Sequence, residues 1–300
     1  MISRFSITLL LIMLRYLFGL LLFLSFPLIG TAAPAREAVL VVVNDDIPAD
    51  LEHFLNGRSP LDVKTFNTRG ARRDIVEVTL LMQALHLGGF NKPVELRTET
   101  SYLRMLRGVA EGRYVSSGAP SWKRDIDLFY GDMQASPSVV QNGEFLVGIY
   151  TTKRNLRTYS KLTPTELKRL KVVTNAQWKS DVHTLQELGF SNIVYSPNWV
   201  NMVRMLEAGR AEITLAPFQT TPQMSTKVGD VTLYPIQGTK VAISGSRHWA
   251  ISLHHPDAKA FYAALEKGLK LLESNGTIAR AYKECGFFHP AVSSWTLLAR

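Results

Sequence analysis

The chain has 300 residues, 46% of them hydrophobic and 20% charged, which suits two ordinary globular domains and excludes a disordered or low-complexity polypeptide. A single cysteine, Cys285, excludes an intramolecular disulfide framework and a zinc site built on several thiolates. The net charge of +9 favours contact with anionic surfaces but is spread too thinly to mark a nucleic-acid partner, and none is expected.

The first segment joins a basic start at Arg4 to an apolar run from Ile7 to Ile29, broken by Arg15, and a small-residue exit, Gly30-Thr-Ala-Ala-Pro-Ala35. This layout predicts a secretory signal peptide over 1–35, cleaved after Ala32 or Ala35. The alternative is an uncleaved anchor, because the run approaches the ~20 residues of a spanning helix. Arg15 and the Ala-rich exit favour cleavage, and no cysteine at the exit supports lipoprotein processing. A soluble, periplasmic mature chain is expected.

Past Arg36, strands and helices alternate. Val39–Val43 reads as a buried strand stopped by Asn44-Asp45-Asp46-Ile47-Pro48, and Ala49–Arg72 shows little periodicity. A helix is predicted over Arg73–Leu87, with Ile75, Val78, Leu81 and Leu85 on one face and Gly88-Gly89 as its stop. Pro93–Arg97 reads as a strand, Tyr102–Glu111 as a helix and Phe145–Tyr150 as a strand. The pattern then restarts. Thr163-Pro164-Thr165-Glu166 carries a cap, a first-turn proline and a capping-box acid. Strands at Lys171–Thr174, Asn192–Tyr195, Glu212–Leu215 and Val231–Ile236 are interleaved with helices at Asp181–Leu188 and from Pro197-Asn198 to Gly209. His248–Leu253 reads as a strand. Phe261, Ala264, Leu265, Gly268, Leu269 and Leu272 mark a helix that Asn275-Gly276 breaks, and Thr277 is expected to cap a last one ending at Gly286. The alternation predicts an α/β architecture with largely parallel sheets.

Three segments carry a resemblance: Leu162-Thr-Pro-Thr-Glu-Leu-Lys-Arg-Leu-Lys-Val-Val173, Leu206-Glu-Ala-Gly-Arg-Ala-Glu-Ile213 and Leu271-Leu-Glu-Ser-Asn-Gly-Thr-Ile-Ala279. In this order and spacing they resemble bacterial periplasmic solute-binding proteins of family 3, associated with polar amino acid uptake. The resemblance implies a two-lobed periplasmic-binding-protein type II clamshell whose lobes are joined by two hinge-crossing strands, at Phe145–Thr151 and near Trp249–Leu253. Lobe one would be 36–148 plus 250–300 and lobe two 149–249. It implies capture of a small-molecule solute by lobe closure, with an inner-membrane ABC permease or a membrane sensor as partner. The expected state is a monomer.

The resemblance also shows where this chain departs. Family members clamp a ligand carboxylate with a lobe-one Thr and Arg. The corresponding stretch here runs from Ser116 and Ser117 to Trp122-Lys123-Arg124, with the basic residues out of register. An Asp that holds the ligand's ammonium is replaced by Ala216-Pro217-Phe218 after the strand, so a small polar or anionic solute is expected, amino-acid-like but not assigned as an α-amino acid.

The expected ligand-binding residues are Asp45, Ser117, Trp122, Lys123, Arg124, Asn175, Trp178, Ser180, Phe218 and Gln219. Arg124 beside Trp122 suits a carboxylate and a flat group; an exposed basic loop with Trp122 tucked inward is the alternative. Asn175–Ser180 sits between a strand and a helix N-terminus, where free N–H groups meet anions, a reading slightly favoured over the alternative of a plain capped helix with a surface Trp. Asp45 follows the first strand toward the cleft, and turn chemistry accounts for it as well. Phe218 and Gln219 would form the rim. Cys285 is expected in the core. No catalytic motif, metal site or cofactor is expected: His254 and His255 are adjacent on a strand end, and no nucleophile elbow, zinc helix or phosphate loop occurs. The rival readings are a transport-inactive sensory clamshell and an envelope enzyme on the same fold.

Overall fold

Val39–Asn44, a run of aliphatic residues too short for a helix, forms strand β1 with both faces buried. In the computed structural model residues 37–299 are described, and the expected signal segment over 1–35 lies outside them. Helix α1 follows at once over Ile47–Leu55, burying Ile47, Leu51 and Phe54 on one face. The sequence reading expected no helix there. Pro48 reads as a stop after a strand, yet it occupies the first turn, where its missing N–H has no partner to lose.

Helix α2 (Arg73–Gly88) matches expectation and ends on Gly89 at φ 90°, a left-handed stop. Then come β2 (Val94–Glu99) and α3 (Tyr102–Ala110). Four short elements follow: β3 (Ser116–Ser117), β4 (Ser121–Trp122), α4 (Lys123–Asp127) and β5 (Met133–Ala135). Strand β6 (Leu146–Thr152) leads to α5 (Lys153–Tyr159), α6 (Pro164–Leu167), β7 (Val172–Thr174) and α7 (Lys179–Glu187). The chain continues through β8 (Ile193–Tyr195), α8 (Trp199–Glu207), β9 (Thr214–Pro217), β10 (Thr226–Val228) and β11 (Val231–Ala242). It closes with β12 (Arg247–His248), β13 (Ala250–Ser252), α9 (Ala258–Ser274), α10 (Thr277–Glu284) and β14 (Thr296–Leu297).

The first sheet has the order β2-β1-β3-β13-β5. Its first three strands are parallel, and β13 runs antiparallel to β3 and β5. The second sheet, β10-β11-β6-β9, pairs antiparallel throughout, while β7 and β8 form a separate parallel pair. The expectation of largely parallel sheets therefore fails for the second sheet. Alternation of strand and helix patterns reports connections, not strand direction, and strands buried on both faces look alike in either direction.

Strands β6 and β11 run antiparallel between the two halves. Their register shifts where the six residues of β11 from Pro235 to Lys240 face the three of β6 from Tyr150 to Gly148. Gly148 is required in this close fit, since an added Cβ would meet Phe218 and Tyr150 at 2.8 Å. The second crossing was expected near Trp249–Leu253. That expected single strand is divided: β12 pairs with β4, and β13 lies inside the first sheet. Between them Trp249 is fully buried and donates its indole N–H to the Gly118 carbonyl at 2.9 Å.

Two local signals behave differently. At α6, the Glu166 N–H donates to Thr163 Oγ1 at 3.3 Å and the Thr163 N–H to Glu166 Oε2 at 2.8 Å, the expected capping box. Replacing Thr163 with alanine is expected to lower the melting temperature by about 2–4 °C; differential scanning calorimetry checks it. At α10 the expected cap does not form. Asn275 Oδ1 accepts the Thr277 N–H at 3.0 Å instead, and Thr277 Oγ1 accepts from Arg280.

Candidate functional site

The first residue of α2 is Arg73, and one turn on is Glu77. Strand β12 supplies Arg247, β4 supplies Trp122, and Phe145 stands just before β6. The fold draws these side chains together. The Arg247 guanidinium lies 5.4 Å from the Trp122 ring centre and 5.2 Å from that of Phe145. The Arg73 guanidinium lies 5.2 Å from Phe145 and 5.9 Å from Phe287. Both cations thus rest on aromatic faces.

Glu77 sits beneath them, wholly buried, with Oε2 at 3.6 Å from Arg247 Nη2 and 3.7 Å from Arg73 Nε. Its other oxygen accepts the Tyr282 hydroxyl at 3.2 Å. Arg247 also donates to the Pro120 carbonyl. Burial pushes the Glu77 carboxyl above its ordinary range against the pull of Arg247 and Arg73. Burial, then the like charge of Arg73, pulls Arg247 down against Glu77. Two guanidiniums thus share Glu77 at close range.

The second half contributes the first turn of α7, with Ser180 fully buried and Asp181 half-buried. Gly245 lies between the halves: a Cβ built there would stand 3.2 Å from the Trp122 ring and 3.8 Å from Ser180 Oγ. Burial raises Asp181 to about 7, opposed by Arg73 and Arg247 and assisted by Asp125. Asp125 in turn accepts the Tyr102 hydroxyl at 2.9 Å, and burial is also the main cause of its upward shift. Among the described residues six buried side-chain polar atoms have no hydrogen-bond partner, and four belong to this cluster: Arg73 Nε, Glu77 Oε2, Arg247 Nε and Ser180 Oγ.

Of the sequence-predicted residues, Trp122 and Ser180 stand in this cluster. Lys123 and Arg124 are exposed on α4, where Lys123 pairs with Asp127 at 2.5 Å. Trp178 is half-buried against the apolar cluster of the second half. Asn175 is engaged within its own loop, donating to the Pro197 carbonyl and accepting the Gln177 N–H, both at 2.8 Å. Ser117 is buried in the first sheet and accepts the Ala250 N–H at 3.1 Å. Asp45 is exposed; beside it Asp46 joins Asp50 and Asp74 around Arg72. Phe218 is buried edge-on against Trp295 with centroids 5.4 Å apart, and Gln219 is half-buried beside Gly286.

Glu77 and Arg247 escaped sequence reasoning, and Arg73 and Asp181 entered it only as helix starts. The one available signal was Glu77 within the apolar stretch Ile75–Leu81, since a carboxylate on a buried helix face requires partners. Cys285 is buried, and desolvation pushes its thiol to about 12. Both ring nitrogens of His248 are engaged, Nδ1 with the Ser136 carbonyl and Nε2 with Ser246 Oγ. Among the described residues no group of three His, Cys, Asp or Glu side chains is placed to hold a metal, and no helix is long and apolar enough to cross a membrane. Two surface cavities lie elsewhere. One, of about 340 Å³, is lined by Lys153, Arg154 and Asp230; the other, of about 520 Å³, by Lys64, His86 and Arg280.

No protein-family model matches the sequence, and no curated protein matches it. Solved structures do. A probable amino-acid ABC transporter extracellular-binding protein from Bacillus subtilis is 13% identical, with 83% of this chain and 97% of that one covered at a TM-score of 0.55. An amino acid ABC transporter substrate-binding protein from Streptococcus pneumoniae, bound to L-arginine, is 14% identical over 84% and 95% at 0.51. A periplasmic sensor domain of Bordetella pertussis, BvgS VFT2, is 12% identical over 80% and 91% at 0.52. The structural neighbours are thus amino-acid-type binding proteins together with sensor domains. At these identities the likeness establishes the fold: the chain has the two-lobed α/β clamshell fold of type II periplasmic binding proteins.

Proposed function

We propose that this protein captures a small anionic solute between its two lobes, as an exported, non-catalytic binding protein serving an inner-membrane ABC permease. The observation that carries the reading is the cluster of unpartnered buried polar atoms. Arg73 Nε, Arg247 Nε and Ser180 Oγ, drawn from both halves, are donors without acceptors, and buried donors in folded proteins are rarely left so. An anion accepting from all three satisfies them. Trp122 and Phe145 beside the guanidiniums favour a solute with a flat face.

In this reading export depends on the segment over 1–35. Lobe one comprises the first sheet with its helices and lobe two the second, with the return crossing along β11. The likeness to a sensor domain supports a second reading, in which the same capture is reported to a membrane receptor. A pull-down that recovers a permease or a sensor kinase separates the two.

Thermal shift against a panel of carboxylates, sulfate, amino acids, polyamines and sugars tests the capture. An anion near 100 times its dissociation constant adds about 2.7 kcal/mol by mass action, raising the melting temperature by about 5–10 °C. Shifts confined to polyamines or sugars overturn the reading.

A further inference from the structure

The cavity of about 520 Å³ opens at the other end of α2 from the candidate site. Arg73 begins that helix and His86 stands in its last turn, which separates the two by about 20 Å along the axis. The cavity wall is partly apolar. Val63 and Leu272 are buried, whereas Leu61 and Leu87 keep 36% and 43% of their surface exposed, so part of the apolar lining is free to be covered. Lys64, His86 and Arg280 line it too, against one acid, Asp62. Arg280 spends one donor on Thr277 Oγ1 at 3.0 Å. Among the described residues no carboxylate lies within 4.0 Å of Lys64, His86 or Arg280.

Gln83 distinguishes this cavity from an ordinary surface groove. It lines the wall although it is only 8% exposed. Its Nε2 donates to the Pro60 and Val63 carbonyls, both at 2.9 Å. Both amide hydrogens are spent there, and nothing among the described residues donates to the amide oxygen. A largely buried acceptor in this state gains from any donor that reaches it. The walls are also fixed in advance. Gln83 ties the turn over 60–63 to α2, and the Phe66 N–H donates to Glu284 Oε2 at 2.5 Å, tying the same loop to α10.

We propose that this cavity is a second ligand site, for an amphiphilic carboxylate with an N–H beside its acid group, the chemistry of an N-acyl amino acid. The carboxylate accepts from Lys64 and Arg280, the amide N–H donates to the Gln83 oxygen, and the acyl chain covers Leu61, Val63, Leu87 and Leu272. The volume lies within the range of about 300–1,000 Å³ that holds small ligands. Asp62 offsets one of the two full cations, which favours a monoanion over a dianion. The site shares no residue with the candidate site and is independent of the anion-capture reading.

Isothermal titration of the purified protein with N-octanoylglycine tests this. N-acetylglycine, six methylenes shorter, should bind about 100-fold more weakly or worse. The methyl ester, without the charge, should lose about tenfold, and N-octanoylsarcosine, without the N–H, about three- to tenfold. Lys64→Ala and Leu87→Ser should each weaken N-octanoylglycine at least about fivefold, with melting temperatures within about 2 °C of wild type because both side chains are exposed. Absence of binding to wild type at about 1 mM overturns the proposal, as does equal affinity for N-acetylglycine. Undiminished affinity in both variants places the probe elsewhere, which overturns the proposal and leaves anion capture standing.

Discussion

Replacing Arg247 with alanine is expected to abolish anion capture and to destabilise the protein by about 3 kcal/mol. Arg247 is only 7% exposed, and its charge is held by Glu77 at 3.6 Å, the Pro120 carbonyl and two aromatic faces. Truncation leaves Glu77 with Arg73 as its only cation and removes the donor to Pro120. Breaking a buried pair in this way costs about 3–5 kcal/mol. The lower end applies because Arg247 and Arg73 repel each other and because burial already lowers the Arg247 pKa. For a chain of this size the loss corresponds to a melting temperature lower by about 6–12 °C. Replacing both residues, as Glu77→Gln with Arg247→Met, should recover part of that loss, because the fully buried carboxylate is gone and Arg73, the cation that remains, is partly exposed and rests on Phe145 and Phe287. Capture should stay absent in the double variant. An R247A protein that is shifted by the anion panel like wild type removes Arg247 from the site.

Replacing Gly268 with alanine is expected to cost about 3 kcal/mol or more. Helices α2 and α9 cross with their backbones almost touching. A Cβ at Gly268 would lie 1.8 Å from the Ala84 carbonyl oxygen, and one at Gly88 would lie 1.8 Å from that of Ala264. Neither obstacle is a flexible side-chain end, so the helices themselves must separate. Phe261, Leu265, Leu269 and Leu272 then lose contact with the main apolar core to which they belong. Replacing the neighbouring exposed Lys267 with alanine is the control and should leave the melting temperature within about 1 °C. Denaturant unfolding followed by circular dichroism measures both; equal midpoints for G268A and K267A would show that the crossing relaxes freely.

Much of the architecture was legible because it is written in neighbouring residues. The face of α2, the capping box at Thr163, the glycine stop at Gly89 and the long apolar stripe of α9 are short-range patterns, and each forms as read. Where local signals conflict, reading fails. Pro48 ends one strand and opens a helix in adjacent positions, and only the burial of Leu51 and Phe54 decides for the helix. Strand direction in the second sheet is likewise invisible, because β6 and β11 carry apolar runs that suit either sense.

The site divides along the same line. Trp122 and Ser180 were within reach, one as an aromatic beside basic residues and the other as a helix-start residue after a strand. Arg73 reads as an ordinary helix opening, and Arg247 lies between Ser246 and His248 with no pattern around it. Composition, periodicity and capping thus determined an α/β chain with a doubled pattern, an expected exported start and most of its helix ends. Only tertiary structure decided that the antiparallel return of β11 carries Arg247 onto Glu77 and Arg73, and that α7 sets Ser180 beside Trp122. The reason is physical. Helix and strand preferences depend on the residues within a few positions, whereas a buried charge cluster depends on which distant segments exclude water together.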